Sequence, residues 1–401
     1  MSVRSSWPRV LAGLVVVLGS TLGSPAWEAS ALPGAGAAAV PLVATPTYKA
    51  ATVSGGYLHT CAVTTKGKPL CWGYNAYGQL GDNSSTNSDV PVGVYGFTTG
   101  VKAVTTGFSH SCLLTTKGKV WCWGNNGYGR LGDNSITNSL KPVAVYGLSS
   151  KIKAISSGDY TTCALTTSGK VKCWGYGANG ELGNNATANS SKPVGVYKLT
   201  HVTSLSNGGY HACVLVSGGK PRCWGYNGVG ELGNNTTTSS PVPVPVYGLT
   251  SGVKQVNGGV YHTCAVTSKG AARCWGYNGF GQLGDNTTTN SPMPVKVSGL
   301  TSGIKAVKAG YYSSCSLSTS GKVKCWGNNT YGQLGDNTTT TRYTPVGVYN
   351  LGKASKLSLG YQHACVVTTA KAVKCWGYNG YGGLGNNSTT NSPQPVLVEG
   401  F

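Results

Sequence analysis

The sequence predicts an all-β fold, a seven-bladed β-propeller of four-stranded blades with one disulfide inside each blade. Three observations carry this expectation. A unit returns seven times between residues 47 and 401, with successive copies 50 or 51 residues apart, and a period of that length marks propellers and other repeat architectures. Every copy holds two cysteines ten residues apart: Cys61 and Cys71, Cys112 and Cys122, Cys163 and Cys173, Cys213 and Cys223, Cys264 and Cys274, Cys315 and Cys325, and Cys365 and Cys375. These account for all 14 cysteines. Each copy also breaks into short apolar or β-branched segments punctuated by Gly, Asn and Ser, with almost no helical period. Four strands in a unit of about 50 residues fit a propeller blade better than a helical solenoid.

The third copy shows how the strands are assigned. They are expected at 153–157, 161–166, 170–175 and 193–199. A three-residue loop, Thr167-Ser168-Gly169, joins the middle two, and its glycine supplies the left-handed residue in which such loops end. With Thr166 opposite Lys170, counting back puts Cys163 across from Cys173 at a non-hydrogen-bonded site. There the Cα atoms approach to roughly 4.5 Å, within disulfide reach. Glycine fills the same loop position at Gly67, Gly118, Gly219, Gly270 and Gly321, and Lys371 replaces it in the seventh copy. A tryptophan follows each second cysteine, at Trp72, Trp123, Trp174, Trp224, Trp275, Trp326 and Trp376. The two-residue period of a strand points it to the opposite face, where a large ring can fill the wedge between blades.

Residues 1–31 stand outside the repeat. Arg4 and Arg9 precede an apolar run too short to cross a bilayer comfortably, and Ala29 and Ala31 give the small-x-small pattern of a cleavage site. This reads as a secretory signal peptide, cut after Ala31 or after Ala26. Residues 32–46 read as a small, proline-containing linker, and 47–401 as the propeller. No later stretch is apolar enough to span a membrane. A secreted, extracellular location is expected, and an even cysteine count in an oxidising compartment agrees with it. Removing Arg4, Arg9 and Glu28 leaves 29 Lys plus Arg against 9 Asp plus Glu, a charge of +20. That excess favours anionic envelope polymers, acidic proteins or nucleic acid, and export disfavours the last. Asn83, Asn185, Asn235, Asn286, Asn337 and Asn387 open Asn-x-Ser/Thr triplets, glycosylation acceptors in a eukaryotic secretory route.

The stretches "CWGYNAYGQLGDN", "CWGNNGYGRLGDN" and "CWGYNGFGQLGDN" resemble the W-G-x-N-x-x-G-Q-L-G signature of the regulator of chromosome condensation repeat family. "GYLHTCAVTTKGK" is similar to the family's preceding stretch, with cysteine in an apolar position. The resemblance covers nearly all of 47–401 and implies a closed seven-bladed propeller. It does not imply one function: members include a nucleotide-exchange factor on chromatin and a plant ultraviolet receptor, and a secreted inhibitor of β-lactamases is built on a similar propeller. The paired cysteines depart from the intracellular members, which, with the export signal, argues against chromatin and GTPase roles.

No catalytic constellation is visible. Ten carboxylates are scattered along the chain, and Asp82, Asp133, Asp285 and Asp336 share a position with Asn184, Asn234 and Asn386. An exchangeable Asp/Asn suits hydrogen bonding within a turn. The run from Asp82 to Asp89 lacks the spacing of a calcium loop, and the glycines of 175–180 match a dinucleotide pattern with no helix after them. No metal and no cofactor are therefore expected. His59, His110, His211, His262 and His363 recur two residues before the first cysteine, with Thr161 and Ser313 in the other copies. Hydrogen bonding inside the blade is the main expectation for them, and partner contact the alternative. Beside them stand Tyr57, Phe108, Tyr160, Tyr210, Tyr261, Tyr312 (with Tyr311) and Tyr361. Closure would gather these aromatics toward one rim, a candidate partner-binding face, although packing over neighbouring blades would explain them equally. The ultraviolet receptor carries its sensing tryptophans in the matching stretch. This chain has none there, so photosensing is not supported.

The expected protein is thus a secreted, monomeric propeller that binds and does not catalyse. It acts at the cell exterior or envelope on an extracellular protein or an anionic polymer. The alternative is a secreted inhibitor that caps an extracellular enzyme with its aromatic rim.

Overall fold

A computed structural model describes residues 48–401 except Ser149, and the expected signal peptide, cleavage positions and linker lie outside those residues. Twenty-eight strands form seven sheets, each made of four consecutive strands paired antiparallel in chain order. In the first blade they are Ala50–Gly55, His59–Thr64, Pro69–Gly73 and Ser88–Gly93. The first strands of all seven blades line a central channel, and the fourth strands are the most exposed. The seven-bladed, disulfide-per-blade architecture expected from the repeat is the one observed.

All seven disulfides join cysteines ten apart, with Cα–Cα distances of 4.0–4.1 Å. Cys163 sits opposite Cys173 as the loop counting requires. The loop closes with one difference. Thr166 N–H donates to Lys170 O at 2.9 Å, but Lys170 N–H donates to the Thr166 hydroxyl at 3.0 Å rather than to its carbonyl. The third strand therefore begins at Val171, one residue later than expected. Lys371 takes φ 72° where the other loops use glycine, so the geometry is retained at some cost in strain. The first strand of the third blade, Ile152–Ser157, gains one residue, and the second, Thr161–Thr166, is as expected. The fourth is displaced: Ser190–Gly195 is observed where 193–199 was expected. Gly175 pairs with Ser190 and Cys173 with Val194, so the ladder ends before the apolar residues Val196 and Leu199. Those two leave the sheet and pack in the wedge toward the next blade.

Each wedge has the same composition. The disulfide face of one blade meets the tryptophan of the next, as Cys163 and Cys173 meet Trp224. All seven tryptophans are fully buried. Trp123 packs on Gly81, where a Cβ would run into the indole, so the ring and the glycine need each other. The indole Nε1–H donates back to the preceding blade, from Trp123 to Gln79 O at 2.8 Å, for example. Burying each indole and satisfying its one donor lets a sequence poor in Phe and Met still pack tightly.

Each disulfide closes a short loop, worth roughly 2–3 kcal/mol in the chain-entropy model. Reduction is expected to lower the melting temperature while leaving the strand signal in far-UV circular dichroism intact at room temperature. Loss of that signal on reduction would show that the indole wedges alone do not hold the ring.

Candidate functional site

Around the axis, at the end where first strands turn into second strands, seven glycines form a closed ring: Gly56, Gly107, Gly158, Gly208, Gly259, Gly310 and Gly360. A Cβ on any of them would meet the carbonyl of the next glycine around the ring. That crowding explains glycine at the position. It also brings the residue after each glycine to the axis: Tyr57 N–H donates to Gly107 O at 3.2 Å, and Tyr361 N–H to Gly56 O at 3.0 Å.

The aromatics gather there, although they do not share one chain position. Tyr57, Phe108 and Tyr361 stand two residues before the histidine site, and Tyr160, Tyr210, Tyr261 and Tyr312 one residue before it. Both offsets reach one cluster. Ring centroids run 4.0 Å from Tyr57 to Phe108, 5.8 Å to Tyr160, 5.5 Å to Tyr210 and 5.6 Å to Tyr261. From Tyr261 the next step is 5.7 Å to Tyr311, then 3.5 Å to Tyr361 and 4.4 Å back to Tyr57. Tyr312 joins from outside, donating its hydroxyl to Tyr311 at 2.8 Å. All are half-buried, and burial raises the phenol pKa of Tyr57, Tyr210, Tyr261, Tyr311 and Tyr361, keeping them neutral donors.

A second ring, not anticipated, surrounds the first. Tyr74, Tyr176, Tyr226, Tyr277 and Tyr378 follow the tryptophan by two residues, and Tyr77, Tyr128, Phe280, Tyr331 and Tyr381 by five. Tyr128 stacks edge-on to both Tyr160 and Tyr176, and Tyr277 meets Phe280 and Tyr312. Tyr77, Tyr128 and Tyr381 are exposed. Their signal was already in the repeat, in the recurring "WGYN" and "YGQL". The loops that carry them are knotted by a buried asparagine: Asn75 Nδ2 donates to Asp82, Ser84 and Thr86, and its carbonyl accepts from Leu80 N–H. Asn227 uses Asn234 in the same role, which is why Asp and Asn interchange there. The residue after that position, such as Asn83 or Asn286, has positive φ, a backbone reason for an asparagine at each candidate acceptor site.

The five histidines follow the main expectation of internal hydrogen bonding, and their place among the candidate partner contacts is corrected. His59, His110, His211, His262 and His363 are at most 3% exposed and cannot touch a partner. Each Nε2 reaches a Ser or Thr of the next blade, as His59 does to Ser111 at 2.9 Å and His363 to Thr60 at 2.8 Å. The Ser111 hydroxyl donates to Gln79 O, so the imidazole must donate through Nε2. Burial holds His59 and His262 down to about 3, and His211 and His363 to about 4, with His110 also well below its usual value.

A pH dependence follows with a definite sign. A histidine whose folded pKa is depressed contributes stability above about 6.5, and that stability is lost as pH falls toward its folded value. Burial raises Asp159 and Glu231 to about 7 and Glu181 upward as well, so these carboxyls act in the opposite sense. The five histidines outnumber these carboxyls, so unfolding takes up protons on balance between pH 6 and 5. The melting temperature should therefore fall steadily on acidification through that range, before ordinary carboxylates titrate. A flat profile would mean that the inter-blade imidazoles are hydrated.

Arg130 lies beneath the aromatic end, 3% exposed, with its guanidinium 5.0 Å from the Tyr160 ring and 5.4 Å from that of Tyr128. It donates to Ser109 Oγ and to the Asp159 carbonyl. The exposed hairpin-tip lysines, including Lys117, Lys119, Lys170 and Lys269, lie at the other end. A six-residue second strand separates the two ends, about 20 Å at ~3.3 Å per residue. The aromatic and basic features thus occupy opposite faces. Among the described residues no three His, Cys, Asp or Glu side chains converge as metal ligands, and no helix is long and apolar enough to cross a membrane.

The chain matches the family model of the RCC1-like domain over residues 136–401 and that of the regulator of chromosome condensation (RCC1) repeat over 50–79, 101–130 and 66–114. It is 32% identical over 308 residues, 76% of its length, to the human E3 ubiquitin-protein ligase HERC2, of which it spans 5%. To the mitochondrial RCC1 domain-containing protein RUG3 of Arabidopsis thaliana it is 32% identical over 70% of its length, spanning 54% of that protein. In structure it is similar to Prp20p of Saccharomyces cerevisiae, described with its binding to Gsp1p and histones: TM-score 0.72, 20% identity, 88% of this chain and 87% of that one.

Proposed function

Because the chain belongs to the RCC1-like repeat family, we propose that it is a protein-binding propeller, exported from the cell, that engages its partner with the aromatic face and catalyses nothing. The observation that carries this is the double aromatic ring: more than a dozen Tyr and Phe side chains, partly exposed and closely spaced on one end of a closed ring. Tyrosine offers a large contact area at low entropic cost, with a hydroxyl for orientation. Prp20p, a propeller of similar fold, binds protein partners, which supports a protein over a polymer as occupant of this face. Seven disulfides in one chain suit an oxidising compartment, which supports export.

The lysine-rich opposite end favours a second reading, adhesion to an anionic envelope polymer. Affinity capture from the producing culture separates the two, using the whole chain and a second bait carrying Tyr210→Ala and Tyr261→Ala. A one-to-one protein partner held by the first bait and lost from the second supports the proposal, and in its strongest form the enzyme-inhibitor reading. Material held equally by both and released by salt would place binding on the lysine face and overturn it.

A further inference from the structure

Midway along the axis, one side chain per blade, directly opposite the first cysteine of that blade, faces the channel: Ser54, Thr105, Ser156, Ser206, Asn257, Lys308 and Ser358. Six of the seven do the same thing. Each accepts a hydrogen bond from a backbone N–H of the next blade: Thr106 to Ser54, Ser157 to Thr105, Asn207 to Ser156, Gly258 to Ser206, Ala309 to Asn257 and Gly55 to Ser358, at 2.8–3.2 Å. The circle is broken once. An ammonium cannot accept, so Lys308 leaves Leu359 N–H without that bond, and it has no carboxylate partner among the described residues.

The same seven side chains are the boundary between two cavities of the channel. One, of about 150 Å³, is roofed by the glycine ring with Tyr57, Tyr311 and Tyr361. The other, of about 570 Å³, opens toward the lysine-rich end, with Lys254, Lys305 and Lys356 in its wall. The smaller one exceeds by an order of magnitude the ~10–15 Å³ that one water requires. Donors outnumber acceptors at the boundary. Thr105, Ser156, Ser206 and Ser358 use a lone pair on the neighbouring blade, and their hydroxyl hydrogens meet no acceptor among the described residues. The one carboxyl in either wall, Asp159, stands at the aromatic end. Burial and the proximity of Lys356 both disfavour a charged Lys308, so an uncompensated ammonium there is costly unless an anion joins it.

We propose that the axial channel is a binding site for a small oxyanion of the phosphate or sulfate type, held by the Lys308 ammonium and the hydroxyl ring and admitted from the lysine-lined mouth. Three lysines at the mouth draw anions in, the hydroxyls replace part of the hydration shell, and the aromatic roof closes the far end. This site is independent of the partner-binding reading, since it lies inside the ring and opens at the other end.

The experiment is titration of the whole protein with inorganic phosphate and with sulfate at constant ionic strength, followed by calorimetry and by melting temperature. Lys308→Ser is the informative variant, because serine already fills this position in four blades and can restore the missing bond to Leu359. The expected result is saturable, one-to-one binding by the wild type that Lys308→Ser weakens at least tenfold. The variant should melt no lower than the wild type without anion and gain nothing from phosphate. Lys308→Arg should retain binding. Equal stabilisation of wild type and Lys308→Ser by phosphate, or no saturable binding by the wild type, would overturn the proposal. Unchanged binding of the culture partner by Lys308→Ser would leave the aromatic-face reading standing, so the two fail separately.

Discussion

Replacing Tyr210 and Tyr261 together by alanine is expected to weaken partner binding about 30- to 700-fold, the equivalent of roughly 2–4 kcal/mol for two anchors. The two rings stack 5.6 Å apart with an interplanar angle of 18°, so they form one apolar step on the inner ring. Removing one would leave the other free to tilt into the gap, and for that reason the pair is the decisive variant. Both side chains hang from the short turn between first and second strands rather than from the strands themselves. The ladders should survive, with unchanged far-UV dichroism and an altered near-UV signal. Surface plasmon resonance on the captured partner would show the loss as faster dissociation. An affinity within threefold of the wild type would mean that the inner ring only packs.

Trp72→Ala is expected to destabilise the protein by about 3–5 kcal/mol, the usual cost of truncating a buried aromatic to alanine. Trp72 fills the wedge against Cys365, Cys375, Leu384, Val398 and Phe401, which is the junction between the last blade and the first. Its Nε1–H donates to Gly383 O at 3.0 Å. Thr60 Oγ1 still donates to that carbonyl at 2.9 Å, so the loss is mainly cavity and contact rather than an orphaned acceptor. The location makes this tryptophan special. Every blade takes its four strands from consecutive sequence, so no strand is exchanged where the chain ends meet. Six junctions are crossed by the chain; the seventh is held by side chains and a few backbone bonds, such as Asn387 N–H to Asp89 O. Thermal unfolding of Trp72→Ala should thus show a lower midpoint and lower cooperativity than Trp224→Ala, which empties an equivalent wedge inside the chain. Identical behaviour of the two would show that closure does not depend on this wedge.

Much of the fold was legible because its determinants are local. The spacing of Cys163 and Cys173 about a three-residue loop fixes which residues face each other, whatever surrounds the hairpin. Trp174, one residue on, must then face the other way. The fourth strand was misplaced by three residues because Val196 and Leu199 are apolar for the sake of the wedge, not of the ladder. Apolarity in sequence reports burial, and here burial and strand pairing part company. The histidines show the same gap from the other side. His211 and Tyr210 are adjacent in the chain, yet the turn that ends at Tyr210 separates them: His211 reaches Thr263 of the next blade, while Tyr210 joins the aromatic cluster at the axis.

By itself, then, the sequence determined the repeat, the number of blades, the cysteine pairing, the buried indole and the family, because each depends on contacts within about fifty residues that recur in every copy. Only the tertiary structure decided what happens around the axis. Ring closure brings Tyr57 beside Tyr361, and Ser358 beside Gly55, across some three hundred residues of chain. No spacing within a repeat specifies those neighbours. Antiparallel pairing puts the two kinds of loop at opposite ends of each blade, and closure gathers each kind into one face, so tyrosines and lysines that alternate in sequence become separate faces. It turns Lys308, one lysine among many along the chain, into the single cation in a circle of hydrogen-bond acceptors.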